Sequence, residues 1–433
     1  MQDAPEEPLF ADRVAGADIA KATVEVTIRM PSESHPGRRQ QETRGFPTTR
    51  AGLDSLADWL GCWQVSKVGM EATGNYWKPV FFLLESRGFA CELYNAGQVK
   101  ALPGRPKTDR ADSIWLAKIA ERGMIRSSFV PPEPIRRLRT HTRYRRALTQ
   151  ARTAEKQRVE KLLEDGHLKL SSVISDIHGV SGRDMLDAVA AGCRDPKALA
   201  ELARGTMRAK ISRLREALDC SFFTADHAAV LGLMLATIDH LTGQIEQLTA
   251  RIETLIAPYL RQVEQLDAMP GIAQIGAQDV IAELGVDMSV FPTAGHLVSW
   301  AHWSPRIRES AGKRKGANAT GRGNPFLGAA LGEAAMSAGR TQSFYGARYR
   351  RLARRMPKKK ALVAVGNSML TTIHALLADP TASYQDLGPD YYERRMHVAR
   401  QARNHVLSLQ RLGFQVSITP ADPDTGELLA TPA

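Results

Sequence analysis

VAGADIAKATVEVTI, residues 14–28, determines the fold class predicted for the start of the chain. Two apolar stretches, Val14 to Ile19 and Val24 to Ile28, are separated by a short polar turn near Lys21, which predicts two neighbouring strands. Asp18 lies inside the first of them, where a carboxylate is costly unless it is paired or binds a metal ion. The stretch therefore predicts a sheet with an acidic side chain that needs a partner.

Strands and helices are predicted to alternate from this stretch onward, which indicates an α/β domain over residues 14–130. An apolar run at residues 65–70 ends at Glu71, as a buried strand would. The other predicted strands are at 43–46 and 90–94, and the predicted helices are at 53–60, 77–87 and 111–122. Asp109 and Asp112 lie at the start of the last helix, where carboxylates also favour the helix dipole.

A proline-rich joint, SSFVPPEP at residues 127–134, ends the strand pattern. It is followed by a predicted helix at 135–163, which carries nine Arg or Lys residues between positions 136 and 158. Apolar residues then repeat at intervals of three and four between Leu231 and Leu255, as in a coiled coil. We predict a helical region over residues 135–262. The pattern leaves open whether this apolar seam, residues 231–255, packs within one protomer or between two.

The remainder is predicted to be mostly helical, with a domain at residues 264–390 and a helix and tail at 391–433. AMPGIAQIGAQDVIAELG, residues 268–285, resembles a helix-hairpin-helix, which offers backbone N–H groups to DNA phosphate. The match is imperfect, because the usual Gly-Ile-Gly loop reads Gly271-Ile272-Ala273. A short strand is predicted at 414–418.

The composition favours a nucleic-acid partner. The 433 residues have a formal net charge of +12, which suggests a polyanion. No membrane span is expected, since charges interrupt the apolar runs, and the acidic, proline-containing start is unlike a secretory signal. The four cysteines are too far apart in sequence for a zinc motif. A cytoplasmic, nucleoid-associated protein is the expectation.

Two basic segments are predicted to contact nucleic acid. Residues 306–322 form a Gly- and Lys-rich loop, and residues 340–360 contain nine Arg or Lys residues among three aromatic side chains. A solvated helix face explains many charge runs, but interleaved aromatics without acids favour phosphate binding. The predicted contacts are Arg308, Lys313, Arg314, Lys315, Arg322, Arg348, Arg350, Arg351, Arg354 and Arg355.

Four acidic residues form a candidate metal site: Asp18, Glu71, Asp109 and Asp112. Two carboxylates three residues apart share one helix face, and carboxylates in or at the end of strands can converge on it. Such a cluster suits two Mg²⁺ or Mn²⁺ ions, which together can activate an attacking oxygen and stabilise a leaving one. Taken singly, each residue also has a structural explanation. Asp18 could end a strand in a turn, and Glu71 could be a surface residue before a glycine turn. Asp109 could be an N-cap and Asp112 a first-turn acid.

The same residues carry a family resemblance. The chain resembles insertion-sequence transposases of the IS110 type, relatives of the Piv DNA invertases, over residues 14–420. The motifs that carry it are GADIAK, GMEATGNYWKPV, GRPKTDRADSIWLAK, SFVPP, KLLEDGHLKLSSVISDIHGVSGRDML, MPGI, SWAHWSPRIRESAGKRKG, GRGNPFLGAALGEAA and ALVAVGNSML.

The resemblance implies an RNase H/RuvC-like nuclease domain, with Asp18, Glu71, Asp109 and Asp112 as its acidic tetrad. It also implies a catalytic serine, which by motif position is Ser310. Many relatives have Gly directly after this serine, whereas here Ala311 intervenes, and Ser304 is the competing candidate. A serine in a basic, glycine-rich loop can also be a phosphate contact.

The resemblance further implies DNA as substrate and a non-coding RNA, transcribed from the element's own end, as guide. We expect the contacts with this RNA on the basic helix at 136–158 and in the long middle region. A homodimer or homotetramer is expected, with the helix at 231–255 as the assembly element. A site-specific invertase would use the same chemistry. A Holliday-junction resolvase would need the tetrad without the serine, and a non-catalytic binding protein would need neither.

Overall fold

A computed structural model of the chain describes residues 11–35, 38–102, 108–305, 309–310, 313–314, 320–321, 323–394 and 398–417. For 309–310, 313–314, 393 and 398–401 the description covers the backbone alone. The chain divides into two units, Met1–Val130 and Pro131–Ala433.

The first unit is built on a five-stranded sheet. Its strands are β1 (Val14–Ile19), β2 (Thr23–Pro31), β3 (Arg39–Pro47), β4 (Lys67–Glu71) and β5 (Ala90–Tyr94), in the order β3-β2-β1-β4-β5. β1, β2 and β3 are antiparallel neighbours, while β4 runs parallel to β1 and β5 runs parallel to β4. Four helices accompany the sheet: α1 (Arg50–Cys62), α2 (Trp77–Ser86), α3 (Ala96–Ala101) and α4 (Asp109–Arg122).

Alternation of side chains along the strands gives this sheet two different faces. Because successive residues of a strand point to opposite faces, Ala15, Ala17 and Ile19 share one face, and they lie in one buried apolar core with residues of α1 and α2. Gly16 and Asp18 belong to the other face, which α4 covers. The acid at position 18 is therefore directed away from the main core.

The second unit begins with an antiparallel pair of long helices. α5 (Glu133–Asp165) and α9 (Ala225–Ile256) lie side by side in opposite directions. The C-terminal end of α5 packs against the N-terminal part of α9 through Val159, Leu163, Leu231 and Leu235. Three short helices complete this end: α6 (Val180–Ala190), α7 (Pro196–Glu201) and α8 (Ile211–Ala217). Each fully buried leucine contributes about 1.5–3 kcal/mol through the hydrophobic effect. The start of the predicted seam thus packs within one protomer.

In the described residues of the rest of the second unit, the regular structure is helical apart from a hairpin of two strands with two residues each. The helices are α10 (Leu260–Asp267), α11 (Gln274–Leu284), α12 (Ala294–Trp300), α13 (Pro325–Ala338), α14 (Phe344–Ala353), α15 (Lys358–Ala378), α16 (Tyr391–Arg394) and α17 (Val398–Arg411). The hairpin pairs β6 (Glu309–Ser310) with β7 (Lys313–Arg314). An α/β unit followed by a mostly helical one confirms the predicted fold class.

The turn between α10 and α11 packs against α13. Gly271 in this turn has a φ of +92°, and a Cβ there would lie 2.3 Å from the carbonyl oxygen of Ala334. Only glycine fits both the left-handed conformation and the close approach. The predicted pair of short helices is present, and its glycine is directed at a neighbouring helix.

One expectation from the sequence is corrected. The strand predicted at 414–418 is wrong, since residues 414–417 are not in a strand and residue 418 lies outside the described residues.

Two segments, Ala225–Asp267 and Lys358–Ala378, are long and apolar enough to cross a membrane by length and composition. This is weak evidence of a span, because core helices of soluble proteins pass the same test, and Asp239 within the first segment is ion-paired with Arg183.

Candidate active site and nucleic-acid surface

Asp18 and Glu71 occupy neighbouring positions at the carboxyl ends of two parallel strands. Ala17 is paired with Met70 across β1 and β4, so the next residue of each strand is one of the two acids. Both belong to the face that carries Gly16 and Gly69, because they lie two residues further along. Glu71 is buried, with 7% of its surface exposed, and Asp18 is half-buried.

Two glycines let α4 lie directly on this face of the sheet. A Cβ on Gly16 would lie 2.1 Å from the backbone nitrogen of Ala117, and a Cβ on Gly69 would lie 2.6 Å from the ring of Tyr94. Neither position has room for a larger side chain. The two glycines thus fix how closely α4 approaches the strands that carry the acids.

α4 is oriented with its first turn toward the acidic edge. Ser113 contacts Thr27, whose cross-strand partner is Gly16, and Glu121 contacts Arg29, whose partner is Val14. The helix therefore runs antiparallel to β1. Its start lies toward the carboxyl ends of β1 and β4, where Asp18 and Glu71 are located. The sheet topology brings all four predicted acids to one edge.

The first turn of α4 is held by hydroxyl groups. Thr108 is the N-cap, and its side chain accepts a hydrogen bond from the backbone N–H of Ala111 at 3.2 Å. Asp109 is thus the first helical residue and not the cap. Ser113 Oγ lies 2.7 Å from Thr27 Oγ1 and donates to the carbonyl oxygen of Arg110. These contacts leave Asp109 exposed and Asp112 half-buried.

The donors at this edge fit a hard divalent cation in chemistry but do not form a finished ligand shell. Carboxylate oxygens are the ligands that Mg²⁺ takes, usually from one or two side chains together with water and phosphate. Yet within the described ranges, which include all four acids, no three histidine, cysteine or acidic side chains are placed to hold one metal ion. Asp18 and Glu71 are the donors that the strand register places side by side.

Two further groups on the α4 face were not singled out from the sequence. Glu25 lies directly opposite Asp18 in the β1–β2 register, and its carboxylate reaches over Gly45 on β3. Glu121 accepts from Arg29 at 3.2 Å and is 2.6 Å from Arg39 Nε, with 2% of its side chain exposed. Alternation along β2 could have found Glu25, whereas the Glu121 triad depends on helix packing that the sequence does not reveal.

The candidate serines lie in the second unit. Ser310 is in β6, where its backbone position pairs with Lys313, next to Arg314. Ser304 is half-buried and precedes this hairpin. Arg308, Lys315 and Arg322 lie outside the described residues, as do the side chains of Ser310, Lys313 and Arg314.

The basic helix at 136–158, which we expected to contact RNA, uses several of its charges inside the protein. Arg139 and Arg143 are ion-paired with Glu283, and Arg145 is paired with Asp279 at 2.9 Å. Burial lowers the pKa of Arg139 to about 10, with Glu283 opposing that shift and Arg143 adding to it. Burial also raises the pKa of Asp279, an effect that the neighbouring Arg145 partly offsets. These arginines join α5 to α11.

The arginines of α14 and of the turn that follows it fall into two groups. Arg348 donates to the hydroxyl of Tyr392 at 3.1 Å, Arg350 donates to the carbonyl oxygen of Thr341 at 3.1 Å, and the guanidinium of Arg351 lies 4.4 Å from the centre of the Tyr392 ring. Arg354 and Arg355 are exposed, and among the described residues neither has an ion-pair partner. These last two charges are available to an external anion.

A mixed sheet with acids at one edge, followed by a basic helical unit, defines a nucleic-acid-processing enzyme of the RuvC-like class. A transposase family model of the IS110 DEDD type matches residues 15–167. A second model, described as the transposase IS116/IS110/IS902 family, matches residues 263–350. The chain belongs to this family of insertion-sequence transposases, which cleave and recombine DNA. No curated protein matches the chain.

Proposed function

We propose that this transposase cleaves and rejoins DNA with a metal-binding acidic tetrad and a serine nucleophile. The observation that carries the proposal is the adjacency of Asp18 and Glu71 at the ends of β1 and β4, on the face that α4 covers. Asp109 and Asp112 open that helix. Four acids from three separate elements at one edge are expected for phosphodiester chemistry.

Asp18, Glu71, Asp109 and Asp112 would hold two Mg²⁺ or Mn²⁺ ions, which when bound supply Lewis-acid stabilisation of charge on the phosphate. Glu71 is buried at the end of β4, on the face of the sheet that α4 covers, and burial restricts the orientations open to its carboxylate. Asp112 keeps its place through the hydroxyl contacts of Ser113, one residue further on. Both contributions are preorganisation, which removes the cost of ordering the site during the reaction.

Ser310 is the proposed nucleophile, as the family motif implies. Its Oγ would form a bond to phosphorus while the bond from phosphorus to one bridging ester oxygen breaks. The hydroxyl proton would pass, through water, to that leaving oxygen, which becomes a free hydroxyl on the DNA. The resulting phosphoserine ester conserves the bond for attack by another strand. Lys313, across the hairpin from Ser310, carries a positive charge suited to the developing negative charge on the phosphoryl oxygens.

The remaining elements of the proposal come from the family. We infer that a non-coding RNA from the element's own end selects the DNA, that the protein acts as a homodimer or homotetramer, and that it works on the bacterial nucleoid in the cytoplasm. The net charge of +12 supports nucleic-acid partners without distinguishing RNA from DNA.

A covalent-trapping assay tests the proposal. The full-length protein is mixed with Mg²⁺, DNA of the element end and RNA transcribed from the adjacent non-coding end, and the products are separated on a denaturing gel. A protein–DNA adduct is expected for the wild type and for the matched controls Ser304→Ala and Asp58→Asn. Ser310→Ala and Asp18→Asn are expected to form none.

Two other outcomes would change the assignment. An adduct with Ser310→Ala but none with Ser304→Ala would move the nucleophile to Ser304. Metal-dependent cleavage without any adduct would indicate a nuclease that uses water, as a structure-selective resolvase does. Recombination that only inverts a segment between fixed sites would identify an invertase with the same chemistry.

A further inference from the structure

An arginine-lined groove lies between α14 and the chain that follows α15. It is an open concavity of about 730 Å³. Arg350 and Arg351 line it from the end of α14, Arg354 and Arg355 line it from the turn that follows, and Asn404 of α17 lines it as well. Four cations therefore face one shared space.

The groove has a strong excess of positive charge. Of the described residues, Asp390 is the single acid that lines it, and this carboxylate is already ion-paired with Arg394 at 2.8 Å. Among the described residues, no acidic partner is found for Arg354 or Arg355. Exposed cations that repel one another within one concavity gain free energy when a polyanion enters.

Aromatic packing makes the rest of the groove rigid. The ring of Tyr392 is stacked on Phe344, with ring centres 5.8 Å apart, and Arg351 lies over the same ring at 4.4 Å. Its hydroxyl accepts a hydrogen bond from Arg348. The ring is thus already in contact with two neighbours, so it is not a stacking platform for a nucleotide base. The groove offers charge and hydrogen-bond donors instead of an aromatic surface.

We propose that this groove binds the phosphodiester backbone of a nucleic acid without reading its bases. Arg354 and Arg355 contact phosphates directly, while Arg350 is oriented by Thr341 and Gln342 and Arg351 by Tyr392. The guanidinium group suits this role because its planar donors match phosphate oxygens. The inference rests on the proposed function for the presence of nucleic acid, and it assigns the backbone contacts to this site.

Salt dependence of binding is the direct test. Fluorescence anisotropy with the full-length protein measures the affinity for a labelled random-sequence DNA duplex and, in a separate arm, for a structured RNA hairpin. Each phosphate contact contributes about 0.9 to the slope of log K against log salt for duplex DNA. Arg354→Gln/Arg355→Gln is expected to lower the slope by about 2 and to weaken binding about tenfold or more near 0.15 M salt.

Matched variants separate a local contact from a general loss of charge. Arg213→Gln/Arg251→Gln removes the same charge from exposed positions on α8 and α9 and should leave the slope unchanged. Arg354→Lys/Arg355→Lys keeps the charge and should keep the slope. A loss confined to one arm identifies the bound backbone as DNA or RNA. Equal losses in both double Gln variants, or an unchanged slope in Arg354→Gln/Arg355→Gln, would overturn the proposal.

The groove and the proposed chemistry fail in different ways. The wild-type adduct tests the proposed chemistry, and the salt slope of Arg354→Gln/Arg355→Gln tests the groove, so the two readouts are independent. If the wild type forms the adduct but the variant keeps the wild-type salt slope, the groove proposal is wrong and the proposed function stands. If the variant lowers the slope but the wild type forms no adduct, the groove proposal stands and the proposed function is wrong.

Discussion

Arg143 on α5 donates two hydrogen bonds to Glu283 on α11, from Nε to Oε1 and from Nη2 to Oε2, and each is 2.8 Å long. The carboxylate has only 3% of its side chain exposed. Arg139 is 3.3 Å from the same carboxylate, and Asn324, the N-cap of α13, donates to it at 2.5 Å. One buried acid therefore connects α5, α11 and the start of α13.

Glu283→Gln should destabilise the second unit by about 3 kcal/mol. Removing one member of a buried ion pair leaves the partner charges without compensation, which costs more than the intact pair contributes. Chemical denaturation followed by circular dichroism measures the change. A loss below about 1 kcal/mol would show that water compensates the two arginines and that the buried carboxylate does not hold the three helices together.

Glu333→Gln is the matched control for that variant. Glu333 pairs with Arg146 through the same kind of contact between α5 and a neighbouring helix, but 62% of its side chain is exposed. Exposed ion pairs contribute about 0–1 kcal/mol. Comparable losses for both substitutions would contradict burial as the cause of the larger one.

Gly16→Ala should loosen α4 from the sheet and abolish adduct formation. The added Cβ would be 2.1 Å from the backbone nitrogen of Ala117, so the helix must move, at a cost of about 3 kcal/mol. Asp109 and Asp112 move with it. Gly61→Ala is the control, because nothing lies within 4 Å of a Cβ at that helical position, and it should be neutral or slightly stabilising. Thermal unfolding and the trapping assay together measure both effects.

The central strands of the first unit were predictable because they are short, almost continuously buried runs of mostly apolar residues. The bounds predicted for β1 and for β5 agree with the structure, and the strand that ends at Glu71 was also expected. β3 (Arg39–Pro47) is longer than the 43–46 predicted, because its additional residues pair with β2 without being apolar. Strand pairing satisfies backbone groups whatever the side chains are.

Contacts between distant segments could not be predicted in the same way. The charge run on α5 suggested a solvated, RNA-facing helix, yet Arg145 has 4% of its side chain exposed and is paired with Asp279, 134 residues away. Placing the four acids at one edge needed the register of β1 and β4 and the approach of α4 over Gly16. No local pattern encodes either feature.

Lowering the pH should destabilise the second unit through His178, which lies just before α6. Burial lowers the pKa of this side chain below 6.5, Lys156 adds to the effect, and Asp176 and Glu160 oppose it. A lowered folded pKa means that the contribution to stability is present above pH 6.5 and is lost as the pH falls through the folded value. His178→Gln should therefore lose less stability than the wild type between pH 7 and pH 5. The exposed His240→Gln should follow the wild type when unfolding midpoints are compared across that range.

Mg²⁺ should stabilise the first unit in proportion to its occupancy of the acidic edge. A ligand that binds only the folded state adds RT ln(1 + [L]/Kd), about 2.7 kcal/mol at 100 times the dissociation constant. Thermal unfolding in EDTA and in rising Mg²⁺ measures this, with no DNA and no catalysis involved. Asp18→Asn should abolish the response, since it removes one of the two donors that the strand register places side by side. Asp58→Asn on α1 should retain it, because that acid is exposed on an element remote from the edge. An equal response in Asp18→Asn would mean that the cation binds elsewhere, and Asp18 would then be better explained as a general structural acid than as a metal ligand.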